Sequence, residues 1–331
     1  MATAINQFMR QQLLTRRDRL QDALSEQAHP ANLHALLEEV DSALGRIRDG
    51  SYGLCEACHD TIECDRLICD PLVRFCLDHL SKRERDALEQ DLQLAARVQK
   101  GLLPPQNLER HGWHICYHYE PAGMVSGDYC DVVEANGSGL YFMVGDVSGK
   151  GVAASMLMAH LHAMFRTLIP MGFSLQSMLQ HASRVFSEST LPNQYATLVC
   201  GHALGNGEIE ISNAGHPAPL IARNGSVEPL EGSSLPVGMF GQEEFSLTRL
   251  SLAPGERMII YSDGVSEATD ASNAEYGADR LRRLIAEHRF ACPADMLAAC
   301  RDDLAAFRLH CQKNDDATLF VLARTDQQQL V

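Results

Sequence analysis

The feature that most constrains the fold of this 331-residue chain is the placement of its acidic residues, which recur at the ends of short apolar runs. Asp128 stands in SGDYCD, Asp146 in GDVSGKG, Asp263 in YSDGVSEA, and Asp315-Asp316 in NDDATLFVL. Each run reads as a β-strand, and strand ends far apart in sequence can converge in space. Carboxylates gathered at neutral pH repel one another unless a cation sits among them. Hard oxygen ligands suit Mg²⁺ or Mn²⁺ rather than zinc. The pattern asks for a fold that collects several strand ends at one place, and for chemistry in which a metal activates water. A lone DxxD or DD is common on solvated surfaces; the weight lies in several such stations in one chain.

The coarse reading around these stations alternates short strands with two helical blocks. Strands are expected at Trp113–Glu120, Leu140–Gly145, Tyr195–Leu204, Glu208–Asn213, Pro219–Ala222, Arg257–Ser262 and Ala317–Ala323. Helices are expected at Ala153–Ile169, Leu175–Ser187, Ala278–His288 and Ala294–His310. Many strands with few crossover helices argue for antiparallel sheets and an α+β class.

The N-terminal third is different. Residues from about Ile5 to Leu24 and from Leu33 to Ile47 read as two helices broken by His29-Pro30, because proline disfavours helix for the residue before it. The second lines up Leu33, Leu37, Val40, Leu44 and Ile47 on one face. Next come Cys55-x2-Cys58 and Cys76-x2-His79, two pairs able to wrap a tetrahedral Zn²⁺. Zinc supplies folding free energy to a segment too small for its own core. Cys64 or Cys69 can replace His79 as fourth ligand, with His59 a weaker candidate. From Leu80 to Leu103 the pattern is charged and helical, ending at Pro104-Pro105. Leu88, Leu92, Ala95, Gln99 and Leu102 suit either a coiled-coil seam in a homodimer or a helix packed on its own domain. The domain boundaries read as 1–50 for the hairpin, 51–80 for the finger, 81–103 for the linker helix and 104–331 for the remainder.

Composition narrows the partners. A net charge of −15 argues against general nucleic-acid binding. No apolar run approaches the roughly 20 residues of a membrane helix, and the N-terminus lacks a secretory h-region. A cytoplasmic location is the expectation. Of the 11 cysteines, those outside Cys55–Cys76 are scattered and expected to be buried thiols.

Five strings in one order, SGDYCD, GDVSGKG, SNAGHPAP, SDGVSEA and NDDATLFVL, resemble the metal-dependent PPM-type protein phosphatases, most closely their SpoIIE/RsbU branch. The resemblance runs from Leu102 to the C-terminus and implies a β-sandwich flanked by helices. It implies two Mn²⁺ or Mg²⁺ ions, with Asp146 bridging them, the Val147 carbonyl beside it, and Asp263 and Asp315 or Asp316 completing one ion, Asp315 favoured. Asp128 helps through water, and Asp131 lies nearby. The implied activity is hydrolysis of phosphoserine or phosphothreonine by metal-activated water. The implied substrate is a phosphorylated protein of the anti-sigma-factor antagonist class. Animal-type relatives carry a histidine where Val147-Ser148-Gly149 stands here, so that acid is absent. Lys150 is a candidate phosphate ligand, although its string lacks P-loop spacing. His216 reads as a turn residue at least as readily as a catalytic one, and Trp113 as a core residue.

The segment RIRDGSYGLCEAC with the Cys76 turn resembles the DksA/TraR-type zinc finger. His79 stands where that family has a fourth cysteine, and the hairpin tip Gln27–Pro30 lacks its acidic motif. The linker stretch LAARVQKGLLPP resembles the helix that couples a regulatory module to SpoIIE/RsbU-type phosphatase domains. Rival readings are a pseudophosphatase scaffold, an RNA polymerase-binding regulator, and hydrolysis of a small phosphorylated metabolite.

Overall fold

The computed structural model describes residues 2–26, 31–80, 82–135, 139–191, 193–240, 244–309, 311, 313–325, with the side chains of 2–8, 26, 31, 32, 65, 69, 83 and 135 left out. The expected hairpin tip at 27–30 lies outside the described residues. The chain divides into two compact units, 1–90 and 91–331.

In the first unit, helices α1 (Ala2–Glu26) and α2 (Ala31–Asp49) pack on each other, followed by the one-turn helix α3 (Cys64–Cys69). Met9, Leu13 and Leu20 of α1 and Val40, Ala43 and Leu44 of α2 share one buried cluster with Tyr52, Cys55, Ile62, Leu67 and Cys76. Hairpin and finger thus close a single core, and neither buries its apolar face without the other. Helix α4 (Lys82–Leu102) runs across the boundary between the units.

The second unit is built from two antiparallel sheets. The strands are β1 (Asn107–Arg110), β2 (Trp113–Glu120), β3 (Asp128–Ala135), β4 (Gly139–Val147), β5 (Ala196–Leu204), β6 (Glu208–Ala214), β7 (Leu220–Arg223), β8 (Ser226–Pro229), β9 (Thr248–Ser251), β10 (Arg257–Tyr261) and β11 (Ala317–Arg324). The helices are α5 (Gly151–Leu168), α6 (Leu175–Ser189), the single turn α7 (Asp263–Ser266), α8 (Ala278–Glu287) and α9 (Pro293–Arg308). Among the described residues, one sheet has the order β1-β2-β11-β10-β7-β8 and the other β3-β4-β5-β6-β9.

Side-chain alternation explains the layering. Trp113, Ile115 and Tyr117 of β2, Phe142 and Val144 of β4, Met258 and Ile260 of β10, and Phe320 and Leu322 of β11 fill the space between the sheets. The opposite face of the sheet that holds β4 carries Tyr129 of β3, Met143 of β4 and Leu198 of β5, which pack on Leu161 and Phe165 of α5 and Phe186 of α6. On the other side Ile259, Leu319 and Val321 pack on Leu281 and Ile285 of α8 and Met296 and Leu304 of α9. β11 is therefore buried along its whole length and reads as a continuous apolar run. Each fully buried Leu, Phe or Met contributes about 1.5–3 kcal/mol. Helix α5 and the turn after it (Gly151–Met171) are long and apolar enough to cross a membrane by length and composition. The inner face of α5 is instead packed in the core just described.

Candidate active site

The antiparallel pairings bring the acidic stations to one end of the sandwich. Asp128 opens β3 and faces Asp146, the penultimate residue of β4, as its direct cross-strand partner. β10 ends at Tyr261, so Asp263 falls in the first turn of α7. Asp315 and Asp316 immediately precede β11, which pairs with β10. Gly264 is required here: a Cβ would lie 1.9 Å from the Asp316 carbonyl oxygen. That close approach is what seats the Asp263 turn against the Asp315-Asp316 pair.

Asp128 is 1% exposed. Its Oδ2 accepts hydrogen bonds from the Ser262 hydroxyl (3.0 Å) and the Thr318 hydroxyl (2.5 Å), which ties the two sheets together. Its Oδ1 is buried with no partner. Burial, and then the neighbouring Asp146, hold its carboxyl well above the usual range. Asp146 is pushed up to about 7, by burial first and then by Asp263, Asp315 and Asp316. Asp263 is raised by burial and by Asp315. A Cβ on Gly127 would lie 3.1 Å from both Asp146 Oδ1 and the Val147 carbonyl oxygen, so these two oxygens converge on one cradle. A buried orphan oxygen, a shared oxygen cradle and mutually repelling carboxylates are the donor set that a hard divalent cation fits.

The remaining candidates fall into place around this group. Asp316 is 9% exposed, and its two oxygens accept from the amides of Ala122 (2.7 Å) and Gly127 (2.8 Å). It fastens the loop that delivers Asp128 and leaves Asp315 as the more available carboxylate of the pair. The Lys150 ammonium lies 2.7 Å from Asp315 Oδ2 and donates to the Asn314 carbonyl at 2.7 Å. Asp131 does not join the cluster. Strand alternation turns it to the α5 face, where Arg166 grips both oxygens (2.8 and 2.6 Å) and His162 stands 3.3 Å away. His216 Nδ1 lies 2.9 Å from the Thr197 hydroxyl, itself 3.4 Å from the Asp146 carbonyl oxygen. Burial lowers the His216 imidazole to about 3, so it is neutral at physiological pH.

Sequence reading assigned Ser262 and Thr318 no role and placed Gln99 only on the packing seam of the linker helix. Gln99 of α4 is 6% exposed. Its amide pairs with the backbone of Ser126 in both directions, Nε2 to O at 2.6 Å and N to Oε1 at 3.0 Å, while the Ser126 hydroxyl accepts from the Asp128 amide at 3.1 Å. The signal available in the sequence was a polar residue on the otherwise apolar stripe of α4.

In the first unit, the ligand atoms of Cys55, Cys58, Cys76 and His79 all lie within 4.8 Å of one another. Cys58 Sγ is 3.8 Å from Cys76 Sγ, which is 3.2 Å from His79 Nδ1. Burial opposes ionisation of Cys55, but the amides of Cys76, Cys58 and Ala57 outweigh it and bring the thiol down to about 6. Cys64 is exposed and outside this group, as is His59; the side chain of Cys69 lies outside the described residues.

Residues 136–325 match the family described as Stage II sporulation protein E (SpoIIE). The chain belongs to the SpoIIE family. The family is that of PPM-type serine/threonine phosphatases, and the matched span includes Asp146, Asp263, Asp315 and Asp316 but not Asp128. Phosphoserine phosphatase RsbU of Bacillus subtilis (strain 168) is 25% identical over 243 residues, covering 72% of this chain and 71% of that protein. Protein IcfG of Synechocystis sp. is 26% identical over 263 residues, 71% of this chain but only 41% of IcfG's own length. Among solved structures, the SiaA-PP2C domain of Pseudomonas aeruginosa superposes with a TM-score of 0.63 at 19% identity, over 74% of this chain and 98% of that one. That likeness shows the PP2C-type fold, with its two sheets and flanking helices, for the SpoIIE-family part of the chain.

Proposed function

We propose that this chain is a metal-dependent protein phosphatase acting on phosphoserine and phosphothreonine. Asp146, the Val147 carbonyl, Asp263 and Asp315 hold two Mn²⁺ or Mg²⁺ ions, with Asp128 and Asp316 supporting them from behind. The observation that carries the reading is the set of carboxylates gathered from three strand ends, where burial first and then Asp263, Asp315 and Asp316 raise Asp146 to about 7. Bound cations offset that repulsion, acidify water and neutralise charge on phosphoryl oxygens. The protein's own groups do the rest. Ser262 and Thr318 fix the orientation of Asp128, and Asp316 pins the loop that carries it. Lys150, 66% exposed, presents positive charge at the mouth of the cluster, where a phosphoryl oxygen would arrive. His216, neutral and buried, orders Thr197 against the Asp146 backbone rather than serving as an acid.

The substrate class is a phosphorylated protein, specifically an anti-sigma-factor antagonist in partner switching; similarity to a phosphoserine phosphatase supports it. The N-terminal unit holds one structural Zn²⁺ through Cys55, Cys58, Cys76 and His79 and regulates the phosphatase domain. We assign the coupling to α4, whose Gln99 clasps the residue two before Asp128. A homodimer through α4 belongs to the same reading, and Leu92→Asp should alter oligomeric state or activity. A cytoplasmic location suits reduced zinc thiolates.

The test is phosphate release from a phosphoserine peptide by the full chain, with and without added Mn²⁺. Turnover that requires the cation supports the proposal. Metal-independent turnover, or none with Mn²⁺ and Mg²⁺ both supplied, contradicts it.

A further inference from the structure

The end of the sandwich opposite the carboxylates contains a second built feature. A cavity of about 700 Å³ opens there, lined by Arg110 at the end of β1, Trp113 at the start of β2, Arg257 at the start of β10, Cys292 and Pro293 at the start of α9, and Arg324 at the end of β11. β2 and β11 run eight residues from this end to the catalytic end. At about 3.3 Å per residue, that separates the two by roughly 26 Å. A ligand here cannot touch a group bound at the carboxylates.

The charge arrangement is unusual for this chain. Its net charge is −15, and arginines elsewhere in the unit, such as Arg166, Arg280 and Arg308, each grip a carboxylate. The three cavity arginines bond to carbonyl oxygens instead. Arg110 donates to the Glu109 carbonyl and Arg257 to that of Phe290. Arg324 donates to the carbonyls of His111, Gly112 and Gly205 and lies 5.1 Å above the Trp113 ring. Carbonyls fix the position of a guanidinium without cancelling its charge. Arg257 Nε is in addition buried with no partner. The carboxylate in the lining, Glu109, faces His114 Nδ1 at 3.4 Å; burial lowers the Arg257 guanidinium, and Asp295 in the first turn of α9 acts against that. The His111 ring is taken up by Glu134 at 2.8 Å. Cations remain in excess.

We infer that this cavity binds a small phosphate-bearing molecule, held by the guanidinium groups of Arg110, Arg257 and Arg324. Guanidinium forks match phosphate oxygens in geometry as well as charge. The volume lies in the range of small-molecule sites and exceeds what a bare phosphate fills. Trp113 and Pro293 provide apolar wall for the remainder of the ligand.

The experiment is calorimetric titration of the full chain with inorganic phosphate, at constant ionic strength and without added Mn²⁺ or Mg²⁺. Under these conditions the carboxylate cluster repels anions. One saturable site is expected, weakened tenfold or more by Arg257→Gln and by Arg110→Gln, and unchanged by Asp146→Asn. Arg110 is exposed, so its variant keeps the fold even where Arg257→Gln does not. Absence of saturable binding overturns the inference. So does binding that survives in Arg110→Gln, or binding lost in Lys150→Met with the cavity arginines intact.

Discussion

Replacing Asp146 by Asn should stabilise the metal-free protein at alkaline pH, the reverse of what removing a satisfied buried carboxylate does. In the folded state Asp146 is pushed up to about 7 by burial and by Asp263, Asp315 and Asp316. In the unfolded chain an aspartate titrates near about 3.9. Between those values the folded state binds the extra proton, so stability falls as pH rises through roughly 4 to 7 and stays low above it. A gap of about 3 units corresponds to about 4 kcal/mol. Neighbouring carboxylates share the titration, which brings the expected effect to about 2–4 kcal/mol, or roughly 5–15 °C for a unit of this size. Asn keeps the shape and loses the charge. The assay is thermal unfolding at pH 5 and pH 8, without added Mn²⁺ or Mg²⁺ and with zinc left in place. It is followed by fluorescence of Trp113, the sole tryptophan, which reports the second unit. Asp146→Asn should exceed wild type at both pH values, by about 1–1.5 kcal/mol at pH 5 and by the full ~2–4 kcal/mol at pH 8, and adding Mn²⁺ should stabilise wild type alone. A variant less stable than wild type at pH 8, or equally stabilised by Mn²⁺, would refute the reasoning.

Other perturbations follow from the same geometry. Arg166→Met removes the guanidinium from Asp131, which is fully buried. Because Arg166 itself is 44% exposed, the cost should be about 2–3 kcal/mol in urea unfolding, with turnover per folded molecule unchanged. Burial opposes ionisation of Asp131, but His162 and Arg166 outweigh it and hold the carboxyl low. The pair's contribution is therefore complete above the unfolded aspartate value and disappears as pH falls below it, a loss that Arg166→Met should reduce. Gln99→Ala strands the buried Ser126 amide and carbonyl, costing about 2–3 kcal/mol by Trp113 fluorescence; unchanged phosphopeptide turnover in this variant would contradict coupling through α4. Cys76→Ser should abolish stoichiometric zinc, measured with a chromogenic chelator, and lower far-ultraviolet helicity, because α1 and α2 share their core with the finger.

The strands that the sequence reading located are those buried on both faces or long enough to alternate. β2 is found at the expected bounds, Trp113–Glu120, and β11 differs by one residue. β1, β8 and β9 escaped it because each has four residues, most of them exposed, and little apolar patterning. β3 was read only as an apolar run beside Asp128, without bounds, for a different reason. Its Asp128, Asp131 and Glu134 break the apolar pattern, and only tertiary partners, Ser262 with Thr318 and Arg166 with His162, make two of those acids tolerable inside. The acidic stations themselves were legible because their sequence settings are distinctive. The groups that hold them were not: Ser262, Thr318 and Gln99 are ordinary residues until β10, β11 and α4 bring them to Asp128 and its loop.

The most direct test of the central claim is the Mn²⁺ dependence of phosphoserine-peptide hydrolysis, measured side by side for wild type and Asp146→Asn. The account predicts saturable activation of wild type and no cation-dependent turnover in the variant, with Trp113 fluorescence showing both folded. Equal Mn²⁺ activation in the two proteins would mean that the carboxylate cluster is not where the hydrolysis takes place.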